Sequence, residues 1–113
     1  MVQFDASEKR GDRGYVRVRG SLVGDVPVTQ LRGAVDHYCT DGGVNDIVVD
    51  VSDVDQIGLE GVAVLLLLWR DAGRHGKCLV IERPHGQVRE KLETTGVLRW
   101  LSADRTRGSR RAA

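Results

Sequence analysis

Hydrophobic positions along the chain fall into runs with two periods. Tyr15-Val16-Arg17-Val18-Arg19-Gly20 alternates apolar with charged residues, the period of a strand with one wet face. The stretch before it, Phe4 to Arg13, is polar and turn-like and reads as a short edge strand followed by a hairpin loop. Ser21 to Pro27 is a connection, and Pro27 suits the first turn of a helix, where its missing N–H would have had no partner. From Val28 the apolar positions Val28, Leu31, Ala34, Val35 and Tyr38 recur at three and four. That spacing predicts an amphipathic helix ending near Asp41-Gly42-Gly43.

The densest pattern runs from Ile47 to Gly73. Asp46-Ile47-Val48-Val49-Asp50-Val51 is nearly continuous and β-branched, which predicts a central strand covered on at least one face. Asp53 and Asp55 read as loop residues, because Asp is common where side chains bond the local backbone. After the junction Gly58 to Gly61 a helix runs to about Gly73. Arg74 to Lys77 turns the chain into a short strand, Cys78 to Ile81. Pro84-His85-Gly86 opens a helix over Gln87 to Thr95 with Val88 and Leu92 inward, and Gly96 ends it. Val97 to Leu101 reads as a last strand or half-turn that brings Trp100 against the body. The predicted order is ββαβαβα with a short final element. This is a single α/β domain over residues 1–101, with a mixed, mostly parallel sheet, right-handed crossovers and helices packed mainly on one face.

Composition narrows the picture. A chain of 113 residues can build one core without disulfides or a metal. Its two cysteines, Cys39 and Cys78, make no disulfide framework. No charged-then-apolar leader opens the chain, so a cytoplasmic protein with reduced thiols is expected. Val62 to Trp69, the longest apolar run, is far short of the roughly 20 residues of a membrane span, so no membrane insertion is expected. The net charge is +1, but residues 102–113 hold Arg105, Arg107, Arg110 and Arg111 against Asp104, a net +3 that leaves −2 for residues 1–101. The body therefore has no electrostatic footprint for nucleic acid. Residues 102–113 read as a basic, solvated tail.

Enzyme constellations are missing. His37, His75 and His85 are scattered, with no HExxH spacing, and His37-x-Cys39 lacks further ligands, so no metal or other cofactor is expected. Neither cysteine has a CxxC partner, and Cys78 in an apolar strand reads as a small buried hydrophobe. Asp46, Asp50, Asp53, Asp55 and Glu60 are not spaced as an acid–base pair, and Asp50 near a strand end can cap the following turn. Gly58 and Gly61 fit neither GxxxxGK[ST] nor GxGxxG. What stands out is the corner Asp55-Gln56-Ile57-Gly58-Leu59-Glu60-Gly61, where the free backbone N–H groups of a helix start face outward.

Asp50-Val51-Ser52-Asp53-Val54-Asp55-Gln56-Ile57, then Gly58-Leu59-Glu60-Gly61, then Val62-Ala63-Val64-Leu65-Leu66, resemble a STAS domain, most of all the anti-sigma factor antagonists. The resemblance reaches back to Gly20-Ser21-Leu22 and forward through Gly76-Lys77, Val88-Arg89, Leu92 and Thr95-Gly96-Val97. It implies a non-enzymatic module that binds a kinase-like anti-sigma factor and so frees a sigma factor. In that family the junction reads Asp-Ser-Ser/Thr-Gly, and phosphorylation of the first hydroxyl residue switches binding off. Here Gly58 stands at the Asp position, Leu59 at the phosphoacceptor and Glu60 at the next hydroxyl; only Gly61 matches. Leu59 cannot accept a phosphate. Glu60 is open to two readings, a charge favourable to the helix N-terminus or a phosphomimic, and capping is the simpler.

The expected function is an anti-sigma factor antagonist without the serine switch. The alternatives are a scaffold or regulatory subunit of another assembly, such as a stressosome-like complex or a lipid-transporter ATPase, and a small-ligand-binding STAS domain. The expected partner-binding residues are Asp55, Gln56, Gly58, Leu59, Glu60 and Gly61, extended by Val64 and Leu68. On the second helix Val62, Leu65, Leu66 and Trp69 share a stripe able to face the sheet, which leaves Val64, Leu67 and Leu68 as surplus. Burial by neighbouring helices is the first explanation of that surplus, and a partner or homodimer surface the second.

Overall fold

In a computed structural model, which describes residues 3–23 and 25–101, Gly11 turns the chain at a φ of 59°, a left-handed conformation that costs glycine no Cβ clash. β1 (Gln3–Arg10) thereby folds back on β2 (Arg13–Leu22) as an antiparallel pair. α1 (Asp25–Cys39) starts three residues before the first periodic apolar position and carries the chain to β3 (Asp46–Ile57). α2 (Leu59–Arg74) leads to β4 (Cys78–Glu82), and α3 (Gly86–Thr94) and α4 (Leu98–Leu101) close the domain. The strands lie in the order β1-β2-β3-β4, and β2, β3 and β4 are parallel. This is the mixed, mostly parallel α/β sheet that the periodicities predict.

One continuous core fills the space between the sheet and the helices. Val16, Val18 and Leu22 of β2, Ile47, Val49 and Val51 of β3, and Leu79 and Ile81 of β4 meet Leu31, Val35 and Tyr38 of α1, Leu65 and Leu68 of α2, and Val88 and Leu92 of α3. Each such side chain contributes about 1.5–3 kcal/mol by leaving water. Among the described residues no helix is long and apolar enough to cross a membrane. Residues 102–113, the expected basic tail, lie outside the described residues.

Two local expectations need correction, and a third is decided between its alternatives. β3 is twelve residues long and runs through Asp53 and Asp55, which are strand residues rather than loop residues. The cause is tertiary: β2 continues to Leu22 and gives the extra length a partner, with Arg19 opposite Asp53, Gly20 opposite Val54 and Leu22 opposite Ile57. Of the two readings of the last element, strand or half-turn, the turn holds: α4 is one helical turn, held by bonds from the Trp100 and Leu101 N–H groups to the Val97 carbonyl. Of the cysteines, Cys39 is the buried one and Cys78 is half-buried. Burial, with help from Asp36 and Asp71, pushes the Cys39 thiol up, away from reactivity.

β4 is short and pairs only with Asp46 to Asp50, so it leaves the far end of β3 without a strand on that side. The start of α3 takes over. The Gln87 carboxamide accepts from the Ile57 N–H at 2.8 Å and donates to the Ile57 carbonyl at 3.2 Å, as a neighbouring strand residue would. His85 Nε2 lies 2.6 Å from the Ser52 carbonyl, which can only accept, so that nitrogen carries the proton.

On the other face of the sheet the described residues place no helix. Tyr15 and Arg17 of β2 stand beside Val48 and Asp50 of β3, which stand beside Val80 and Glu82 of β4. With Glu8, Arg10 and Arg83 these residues line a shallow depression of about 340 Å³. Its charges are paired with each other, Arg10 with Glu8 and Arg83 with Asp50 and Glu82. Asp50 is buried, and its Oδ1 accepts the Ser52 N–H at 2.9 Å inside β3, so it caps no turn as its expected place near a strand end implied, while Oδ2 lies 2.6 Å from Arg83.

Burial would raise the Asp50 carboxyl, but the bonds from Arg83 and Ser52 and the Arg83 charge outweigh it and hold the group below its ordinary value. A carboxyl lowered in the folded state stabilises the fold above its unfolded pKa, near 3.9, and that contribution is lost as pH falls through the folded value. The gap in unfolding free energy between wild type and Asp50→Asn is therefore expected to be widest near neutral pH and to close below about pH 4. Urea titrations of both proteins across that range check this; a gap that stays constant would contradict it.

Candidate functional site

The corner between β3 and α2 is held from below by main-chain geometry. The Gly58 N–H donates to the Leu22 carbonyl at 3.0 Å, tying the end of β3 to the end of β2, and the Val62 N–H donates to the Gly58 carbonyl at 3.1 Å, opening the helix. Gly58 is the N-cap in an extended conformation, and no side chain caps α2 by a hydrogen bond. Gly61 permits the approach of the helix to the sheet. A Cβ there would lie 2.8 Å from the Leu22 carbonyl oxygen and 2.7 Å from Ile57 Cγ1, closer than real Cβ atoms come. Gly61 is itself buried, so its role is packing, not contact.

On this frame stands an exposed apolar pair. Leu59, the first residue of α2, is 65% exposed, and Val23, just past β2, is 45% exposed. A Cβ on Gly58 would touch Val23 Cγ1 at 3.5 Å, so Val23 flanks the junction. The same point lies 3.1 Å from Glu60 Oε1: the Glu60 carboxylate occupies space that a side chain at position 58 would need. Glu60 therefore places its charge over the helix start, favourable to the dipole by about 0.3–1 kcal/mol. Asp55 and Gln56 lie on the exposed face of the strand end, and the Ser21 hydroxyl donates to Asp55 Oδ1 at 2.9 Å.

The structure brings Gly58, Leu59 and Glu60 together at one surface, with Asp55 and Gln56 beside it. Val64 is half-buried against the core. Leu68 is a correction: it is 0% exposed and packs between helix and sheet, so it belongs to the core and not to a contact surface. Leu66 and Trp69, expected to face the sheet squarely, lie half-buried on the helix flank, because the buried stripe is Gly61, Val62, Leu65, Leu68 and Ala72. Two participants escaped the sequence reading. Val23 was part of a connection, and its place follows only from the register of Leu22 with Ile57; Gln87 gave no local signal.

A family model described as "Mlab, STAS domain" matches residues 6–102. The chain belongs to the STAS domain family. No curated protein sequence matches this STAS domain. Among solved structures it is similar to the Bacillus anti-sigma factor antagonist SpoIIAA in its unphosphorylated form, with a TM-score of 0.71 at 17% identity over 100% of this chain and 98% of that one. It is also similar to an anti-sigma factor antagonist from Mycobacterium paratuberculosis, with a TM-score of 0.75 at 18% identity over 96% and 93%. A third similarity is to Mglu, with a TM-score of 0.64 at 19% identity over 74% of this chain, which spans only 20% of that protein. At these identities the likeness is one of fold.

Proposed function

We propose that this STAS domain is a non-enzymatic protein-binding module, an anti-sigma factor antagonist that binds its kinase-like anti-sigma factor through the corner around Leu59 and does so without a phosphorylation switch. The observation that carries this reading is Leu59 itself. At the position where the resemblance puts a phosphoacceptor, the side chain has no hydroxyl and is two-thirds exposed, and the residue before it, Gly58, is flanked by exposed Val23. Exposed apolar side chains at a helix start tied down by main-chain bonds suit a contact with a partner better than a site of chemistry. Its likeness in fold to two anti-sigma factor antagonists over nearly their whole length supports the same reading.

The loss of the family's Asp at position 58 fits with Glu60. A carboxylate on position 58 would stand close enough to Glu60 to repel it, and Gly58 leaves that space to Glu60. The test is titration calorimetry with the purified kinase-like anti-sigma factor, with and without prior incubation with Mg-ATP. Wild type is expected to bind equally in both conditions, and Leu59→Glu to bind at least about tenfold more weakly with an unchanged melting temperature. The triple variant Gly58→Asp, Leu59→Ser, Glu60→Ser is expected to bind before ATP and to be released after it. Absence of wild-type binding, or its abolition by ATP, would sink the proposal.

One observation favours a second reading, a regulatory module of a larger assembly: the same fold makes up a fifth of the Mglu chain. Failure to bind any anti-sigma factor, together with an intact Leu59-dependent contact to another protein, would select it.

A further inference from the structure

Both tryptophans of the chain stand together, away from the corner. Trp69 on α2 and Trp100 on α4 pack edge to face, with ring centroids 5.5 Å apart and planes at 64°. Trp69 lies ten residues along α2 from Leu59, about 15 Å at the helical rise. Trp69 is half-buried with Leu66 and Leu98 against the core, while Trp100 remains 52% exposed, the largest aromatic surface the described residues show to solvent. Arg70 follows Trp69, and Arg99 precedes Trp100. Both arginines are exposed, and neither makes a hydrogen bond or ion pair with any other described residue. Arg10, Arg13, Arg17 and Arg83 are ion-paired; Arg32 on α1, like Arg70 and Arg99, makes no ion pair with any other described residue.

We propose that the Trp69–Trp100 flank is a second docking surface, and that its occupant is an acidic amphipathic segment of a partner protein. Trp and Arg are the residue types that carry most binding energy at protein contacts. A ring pair already held edge to face offers area at little cost in side-chain freedom. Exposed cations that pair with no other described residue, next in sequence to the two rings, select an occupant with carboxylates around an apolar stripe. A second copy of this chain fits poorly, because a two-fold contact here would set Arg70 and Arg99 of one copy against those of the other. A bilayer fits poorly too, because the body carries −2 and offers one half-exposed ring to insert. This surface is independent of the one at Leu59.

The experiment uses the full chain as bait for a random peptide library displayed on phage. Enriched sequences are expected to combine Asp or Glu with Leu, Phe or Trp at spacings of three and four. A synthetic peptide of the enriched sequence is expected to shift the tryptophan emission, which comes from this platform alone, and to bind more weakly as salt rises. Affinity is expected to fall by about tenfold or more in Trp100→Ser and in Arg70→Glu/Arg99→Glu, and to be unchanged in Leu59→Glu. All four substituted positions are exposed, and circular dichroism confirms that each variant is folded. The proposal is overturned if acidic sequences are not enriched or if the variants bind them as wild type does. It is also overturned if vesicles of phosphatidylglycerol and phosphatidylcholine, without peptide, shift the emission in a Trp100-dependent way, or if sedimentation shows a dimer that Trp100→Ser dissolves.

Discussion

Leu68→Ala is expected to lower the free energy of unfolding by about 3–5 kcal/mol, and Leu68→Glu to leave no cooperative unfolding transition. Leu68 is fully enclosed, one of the inward residues of α2 packed among Val, Leu and Ile side chains of the sheet and the other helices. Truncation to alanine removes transfer energy and leaves a cavity in a close-packed site. A glutamate there would have to bury a carboxylate with no partner or open the core to water. Leu67→Ala, on the half-buried flank of the same helix, is the control and is expected to cost far less. Urea denaturation followed by circular dichroism measures all three. If Leu68→Glu folded normally, the inward orientation of α2 would be wrong, and a contact role for Leu68 would return.

Gly61→Ala is the second large effect. Alanine favours a helix over glycine by about 1 kcal/mol, so an exposed position would gain stability. Here the new methyl meets Ile57 and the Leu22 carbonyl oxygen. The Ile57 tip can rotate aside, but the Leu22 carbonyl is backbone and already holds the Gly58 N–H, so the first turn of α2 must lift instead. Overpacking of about 1–3 kcal/mol outweighs the propensity gain, and a net loss of about 1–2 kcal/mol is expected. Because the displaced turn carries Leu59, binding at the corner is expected to fall as well. Thermal unfolding and amide chemical shifts of Val23, Gly58 and Leu59 check the two parts; a more stable variant with unmoved shifts would refute the close approach.

These two glycine and leucine positions show where reading the residues succeeds and where it stops. The alternation of Tyr15 to Gly20 located β2, and spacings of three and four located α1 and α3, because one-sided burial forces them. The heptapeptide Asp55 to Gly61 marked the corner, because a glycine-bearing strand-to-helix turn has few other uses. The length of β3 was not legible: Asp53 and Asp55 are poor strand formers, and only the partner supplied by β2 makes them extended. On α2, apolar residues surround so much of the helix that a wheel alone cannot centre the buried stripe. Gly61 and the position of α1 and α4 decide it, and they place Leu68 inside and Trp69 on the flank. Val23 and Gln87 could not be found at all from local pattern, since each acquires its role from a residue about thirty positions away.

The spatial order β1-β2-β3-β4 is also the order of synthesis. Each strand leaving the ribosome finds the one before it as the open edge, and no later strand has to be threaded between two that have already paired. The sheet can be laid down from one side, with each crossover helix closing over the edge just made. Gln87, on the helix that follows β4, then bonds Ile57 where β4 does not reach and so covers the end of β3 beneath the corner.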